Sequence, residues 1–131
     1  MIGEYEYFAP LSSPKPKHLK MKNTIDFLKL KNGKLGVINF NNMIPVSKNN
    51  YSLLDLDTEY YSGAEQVYQK LLKKQLTWLN KNYEQVKNKS FKLYHLYINN
   101  KLNEQIRNRY CNFKLLEEKC SEYNMKSVIF V

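Results

Sequence analysis

Negative charge is in short supply in this chain of 131 residues. Twelve Asp and Glu face twenty-one Lys and Arg, a formal net charge of +9 at pH 7. Arginine is scarce as well, being confined to Arg107 and Arg109, so lysine carries the excess. The two cysteines, Cys111 and Cys120, form no CxxC pair, which argues against a disulfide framework and for reduced thiols. On a helix they would lie about 2.5 turns apart, too far round for a bridge. The two histidines, His18 and His95, have no ligand cluster beside them, so a zinc site is not expected. No apolar run approaches the roughly 20 residues that span a bilayer. Residues 1–6 have neither the basic n-region nor the apolar run of an export signal, which points to the cytoplasm. The sequon Asn88-Lys89-Ser90 then has no meaning.

The lysine excess favours a polyanionic partner, nucleic acid or an anionic surface. The plainer source is a lysine- and asparagine-rich proteome. Length predicts one domain, residues 1–131, large enough for a real core. Its first half, about residues 4–56, reads as strands. Residues 4–11 are aromatic and partly alternating. Residues 24–30 alternate well, with Asp26, Leu28 and Leu30 on one face. Asn32-Gly33 is the strongest hairpin signal, Leu35 to Phe40 the return strand, and Gly36 within it a bulge or close approach. Residues 43–46 and 52–56 read as further short strands.

The second half, about residues 62–124, reads as helices. Ser62-Gly63-Ala64-Glu65 fits a capping box. The helix it opens carries Val67, Leu71, Leu72, Leu76 and Leu79 at helical spacing and breaks near Asn88. Ser90 is a candidate cap for a second helix ending at Asn99-Asn100, and Asn112 for a third. The tail 126–131 is either an extra strand or a readthrough. Strands followed by helices predict an α+β fold with an antiparallel sheet.

The segment Tyr7-Phe8-Ala9-Pro10-Leu11-Ser12-Ser13-Pro14-Lys15-Pro16-Lys17-His18 stands out. A short strand enters a proline-fixed turn bearing two hydroxyls and a lysine, a natural phosphate cradle. Taken alone, a capped surface turn is the commoner explanation. After it come Gly33-Lys34-Leu35-Gly36-Val37-Ile38-Asn39-Phe40, Met43-Ile44-Pro45-Val46 and Ser52-Leu53-Leu54-Asp55-Leu56. Lys74-Gln75-Leu76 and Cys111-Asn112-Phe113-Lys114-Leu115-Leu116-Glu117-Glu118-Lys119 complete the order. In this sequence of blocks, from about Tyr7 to Tyr123, the chain resembles the ToxN/AbiQ family, endoribonuclease toxins of type III toxin–antitoxin systems.

The resemblance implies a twisted antiparallel sheet with flanking helices, related to the Kid/MazF toxin fold. It implies that Ser12, Ser13 and Lys15, matching a Thr/Ser-Ser-Pro-Lys motif, are catalytic. The hydroxyls would engage the scissile phosphate and Lys15 would stabilise the pentacovalent charge, with no cofactor or metal. The expected products are a 2′,3′-cyclic phosphate and a 5′-hydroxyl. RNA contacts are expected from Lys17, His18, Lys20, Lys22, Lys73, Lys74, Arg107 and Arg109. Tyrosines interleave with these cations, although most of the eleven are expected to pack in or near the core.

The implied partners are a cellular or phage RNA substrate and a small structured RNA antitoxin. Toxin and antitoxin RNA would alternate in a closed assembly that serves abortive resistance to phage. Relative to the family the chain reads as short before its first strand, where further catalytic groups, a lysine and tyrosines, would lie. That shortness opens an alternative, a catalytically inactive remnant that only binds RNA, and predicts a packing gap or an exposed sheet edge. A helix-turn-helix near Ser90 and Asn112 ranks lower, because about a dozen residues separate the candidate helices.

Overall fold

The computed structural model describes residues 5–57 and 63–129, with side chains through residue 123. Five short strands come first: β1 (Tyr7–Phe8), β2 (Leu11–Ser12), β3 (Phe27–Lys29), β4 (Val37–Asn39) and β5 (Ile44–Pro45). They form two antiparallel sheets rather than one. β4 is central in the first, with Ile38 opposite both Leu11 of β2 and Leu28 of β3. The second pairs β1 with β5, Tyr7 opposite Pro45.

The hairpin predicted at Asn32-Gly33 joins β3 to β4, but its reversal is longer than two residues. Lys31, Asn32, Gly33 and Gly36 all have positive φ, and the Leu30 N–H donates to the Gly36 carbonyl at 3.0 Å. The strand expected over residues 24–30 shrinks to Phe27–Lys29, because Thr24 bridges Phe27 across a tight turn holding Ile25 and Asp26. Residues 52–56 form no ladder, and Leu53 and Leu54 stand exposed there.

A short helix, α1 (Pro16–Lys20), interrupts the strands, and α2 (Gly63–Lys81), α3 (Tyr83–Ile98), α4 (Glu104–Arg107) and α5 (Phe113–Ile129) follow. The proposed cap Ser62 lies outside the described residues. The first long helix breaks at Asn82 rather than near Asn88. The Asn82 side chain donates to the Trp78 carbonyl at 2.9 Å, local bonding that competes with helical continuation. Ser90 is therefore inside α3, donating to the Lys87 carbonyl, and caps nothing. Asn99-Asn100 does end α3, with Asn100 left-handed. Asn112 does cap α5, accepting from the Leu115 N–H at 3.2 Å. The short α4, capped by Asn103, has no counterpart in the sequence reading. The tail is helical through Ile129 rather than a strand, and residues 130–131 lie outside the described ones.

Fully buried Phe113 seats α5 against β1 and α3. Its ring lies 4.7 Å from Tyr97 and 5.7 Å from both Tyr7 and Tyr94. Leu28, Leu30, Ile38, Phe40, Met43, Leu93 and Tyr110 complete the core cluster. Glu117 is 6% exposed within it, accepting from Tyr94 at 2.6 Å and Tyr7 at 2.9 Å. Burial, and then Glu117 itself, raise both phenol pKa values. This buried acid ties β1, α3 and α5 together beneath the strands that carry the conspicuous turn.

Candidate active-site cleft and a second basic groove

Ser12 ends β2, held by pairing with Val37 of β4. The chain then leaves the ladder through Ser13 and Pro14. Lys15 is extended (φ −131°, ψ 153°), and Pro16 opens α1, where its missing N–H costs nothing. Two glycines of the hairpin press on this turn. A Cβ on Gly36 would sit 1.9 Å from the Ser12 carbonyl oxygen, and one on Gly33 would sit 2.6 Å from that of His18. The close approach anticipated at Gly36 is this contact.

His18 and Lys15 are joined twice: the His18 N–H donates to the Lys15 carbonyl at 2.9 Å, and the Lys15 N–H donates to His18 Nδ1 at 3.1 Å. His18 is only 3% exposed. Burial, then Lys17, then Lys15 lower its pKa, so at neutral pH it is uncharged. The expectation of a cationic surface histidine is corrected accordingly: desolvation beside two ammonium groups suppresses the charge.

A cleft of about 300 Å³ opens beside the turn. Ser12, Lys15, Lys17, His18 and Lys22 line one side. Thr24, Asp26, Phe27, Asn39, Asn41 and Arg109 come from the hairpin side and the α4–α5 connection. Asn39 Nδ2 approaches Ser12 Oγ at a long 3.5 Å. Asp26, 6% exposed, accepts from Thr24 Oγ1 at 2.8 Å and from Arg109 Nη2 at 3.1 Å. It fixes the guanidinium, whose side chain stays 55% exposed, at the cleft wall. Three lysines, an arginine and the hydroxyl-bearing Ser12 and Thr24 thus line one opening. Such a donor set suits a phosphodiester and can stabilise charge growing on its oxygens.

Not every predicted residue arrives there. Ser13 is exposed on the turn and does not line the cleft, and neither does exposed Lys20. Arg107 turns inward, donating to the Tyr97 carbonyl at 2.6 Å and stacking 4.1 Å from that ring. Lys73 and Lys74 line a different groove with Lys31, Lys34, Lys81, Thr77 and Trp78. Its volume is about 640 Å³. Buried Gln75 fastens its floor, donating to the Leu35 carbonyl at 2.8 Å. Sequence reasoning missed Thr24, Asp26, Asn39 and Asn41. One signal was available for Asp26, a carboxylate sharing a strand face with Leu28 and Leu30. Of the tyrosines, Tyr94, Tyr97 and Tyr110 are buried, while Tyr68, Tyr83 and Tyr123 are exposed.

The fold and the cleft define a small mixed protein of helices and antiparallel strands, built round a cationic, hydroxyl-bearing cleft. More particularly, the chain belongs to the ToxN family: the family described as "Toxin ToxN, type III toxin-antitoxin system" matches residues 1–121. It is 34% identical over 132 residues to Endoribonuclease ToxN of Pectobacterium atrosepticum, covering 96% of this chain and 72% of that one. It is 30% identical to Endoribonuclease ToxN of Bacillus thuringiensis subsp. kurstaki, covering 93% of this chain and 64% of the relative. The structure of AbiQ, a lactococcal anti-phage endoribonuclease belonging to the type-III toxin-antitoxin system, superposes with a TM-score of 0.78 at 30% identity. That match covers 94% of this chain and 74% of AbiQ. A structure concerned with selective toxin inhibition by a non-coding RNA pseudoknot superposes with a TM-score of 0.75 at 32% identity, covering 94% and 74%.

Proposed function

We propose that this chain acts as an endoribonuclease toxin of a type III toxin–antitoxin system, cutting single-stranded RNA and held in check by a small structured RNA. One observation carries the reading. The turn bearing Ser12 and Lys15 opens into a cleft that also gathers Lys17, Lys22 and Arg109, on a fold shared with named endoribonucleases. Attack by a ribose 2′-hydroxyl forms the O2′–P bond and breaks the P–O5′ bond. A proton leaves O2′, another reaches O5′, and the products are a 2′,3′-cyclic phosphate and a 5′-hydroxyl. Lys15 and Arg109 stabilise the phosphorane charge, and the Ser12 hydroxyl hydrogen-bonds a phosphate oxygen. Ser13, outside the cleft wall in the free protein, reaches the phosphate only as RNA settles onto the turn. The groove of Lys73, Lys74 and Trp78 holds a flanking stretch of RNA by charge and base stacking.

The same reading takes residues 1–131 as one cytoplasmic domain related to the Kid/MazF fold and needing no metal. It assembles in alternation with its RNA antitoxin and serves abortive infection. Among the described residues no helix is long and apolar enough to cross a membrane. The direct test incubates the purified chain with single-stranded RNA in EDTA and analyses the new ends. Cyclic phosphate and 5′-hydroxyl ends that disappear in Lys15→Ala are expected. Intact RNA, or cutting unchanged in that variant, would overturn the assignment.

A further inference from the structure

The pairing between His18 and Lys15 points beyond charge. A side chain at the third position of a helix that reaches back to the N-cap N–H is ordinarily Glu or Gln, on the surface. Here the reaching group is an imidazole, buried, and the N-cap is the lysine that faces the cleft. Because Nδ1 accepts from the Lys15 N–H, the imidazole proton resides on Nε2. The ring is held edge-on 6.5 Å from Phe27, and the His18 backbone is pinned from behind by Gly33. The backbone from Lys15 to His18 is thus held at both ends, while the Lys15 side chain stays exposed.

We propose that His18 is a positioning residue: its neutral ring fixes the backbone of Lys15, so that the ammonium and the Ser12 hydroxyl address one phosphate. The proposal rests on the endoribonuclease reading, which it deepens. Protonation of His18 removes the Nδ1 acceptor and places a cation among cations. Lys15 and Lys17 lie on the same turn, Lys22 follows it, and Arg109 faces it across the cleft. Asp26 is the one carboxylate in the cleft lining, and Arg109 already engages it. The folded-state pKa lies below the ordinary 6.5, so the pairing is complete above that value and is lost as pH falls through the lower one.

The test compares wild type, His18→Ala and His18→Gln as full chains. His18→Ala lowers kcat about 10- to 100-fold with little change in KM for RNA, the mark of a displaced catalytic group. His18→Gln, which supplies the usual acceptor at this position, recovers most of that loss. It also lacks the fall in kcat that wild type shows below pH 6.5. Nitrogen NMR of the free protein shows the proton on Nε2, and amide exchange at Lys15 is slow in wild type and His18→Gln but fast in His18→Ala. Equal activity of His18→Ala and wild type would overturn the proposal. So would failure of His18→Gln to rescue, or a proton on Nδ1. If the chain cuts no RNA at all, the endoribonuclease reading falls, while tautomer and amide exchange still decide whether His18 holds Lys15.

Discussion

The two basic openings of this molecule are built on different terms. In the cleft, position is specified several times over. Gly36 and Gly33 allow backbone contact, the His18 ring is buried against the Lys15 amide, and Asp26 aims Arg109. In the groove, Lys31, Lys34, Lys73, Lys74 and Lys81 surround Trp78, and among the described residues no ion pair engages any of the five. One region fixes where an anion sits and the other only that it stays nearby. A chain with net charge +9 needs nothing elaborate for the second task, whereas the first requires geometry that charge alone does not supply.

Breaking the cleft has the largest expected effects. Lys15→Ala lowers kcat/KM for RNA cleavage about 100- to 1,000-fold, comparable to loss of a transition-state donor elsewhere, with binding of uncut RNA reduced only severalfold. If both fall in proportion, Lys15 is a binding residue like those in the groove and the contrast disappears. Next is Gly36→Ala. The added carbon meets the Ser12 carbonyl at a φ of +104°, and unfolding stability drops by about 2–3 kcal/mol in urea titrations. Gly63→Ala at the start of α2, where a Cβ meets nothing within 4 Å, is the internal control and is neutral or slightly stabilising. Equal effects at the two glycines would mean that the contact with Ser12 carries no strain.

The same division governs what could be read from the sequence. Local chemistry showed: the Asn32-Gly33 reversal, the Asn112 cap, the end of α3 at Asn99-Asn100, and the turn with its hydroxyls and lysine. These depend on residues within a few positions of one another. Much of what stayed hidden depends on partners far apart in the chain, although the helix break at Asn82 and the Asn103 cap of α4 are local and were missed as well. Asp26 and Arg109 meet across 83 positions, and Gln75 reaches Leu35 across 40. Counting charges placed Arg107 and Arg109 together on an RNA surface. The structure parts them, one turned into the protein against Tyr97 and one held at the cleft. His18 shows the same limit: its place after Lys17 suggested a basic run, and only the fold shows it to be buried.

Smaller effects sharpen the comparison. Arg107→Ala removes the bond to the Tyr97 carbonyl and the stacking on its ring, costing about 1–2 kcal/mol of stability. RNA affinity stays within about twofold, since the guanidinium sits apart from both openings. A larger loss of affinity would return Arg107 to the interface.

The double change Lys73→Ala with Lys74→Ala tests the groove on its own terms. Among the described residues neither ammonium has an ion-pair partner to lose, so folding and the turnover of a short oligonucleotide confined to the cleft stay as they are. Affinity for longer single-stranded RNA falls by about 1 kcal/mol. The diagnostic is the salt dependence. Each phosphate contact on a single strand contributes a slope of about −0.7 in log affinity against log salt, so losing two flattens it by about 1.4. Binding measured from low to moderate salt reads this directly. A weaker complex with an unchanged slope would mean that the lysines act through the shape of α2, and that the groove selects geometry as the cleft does.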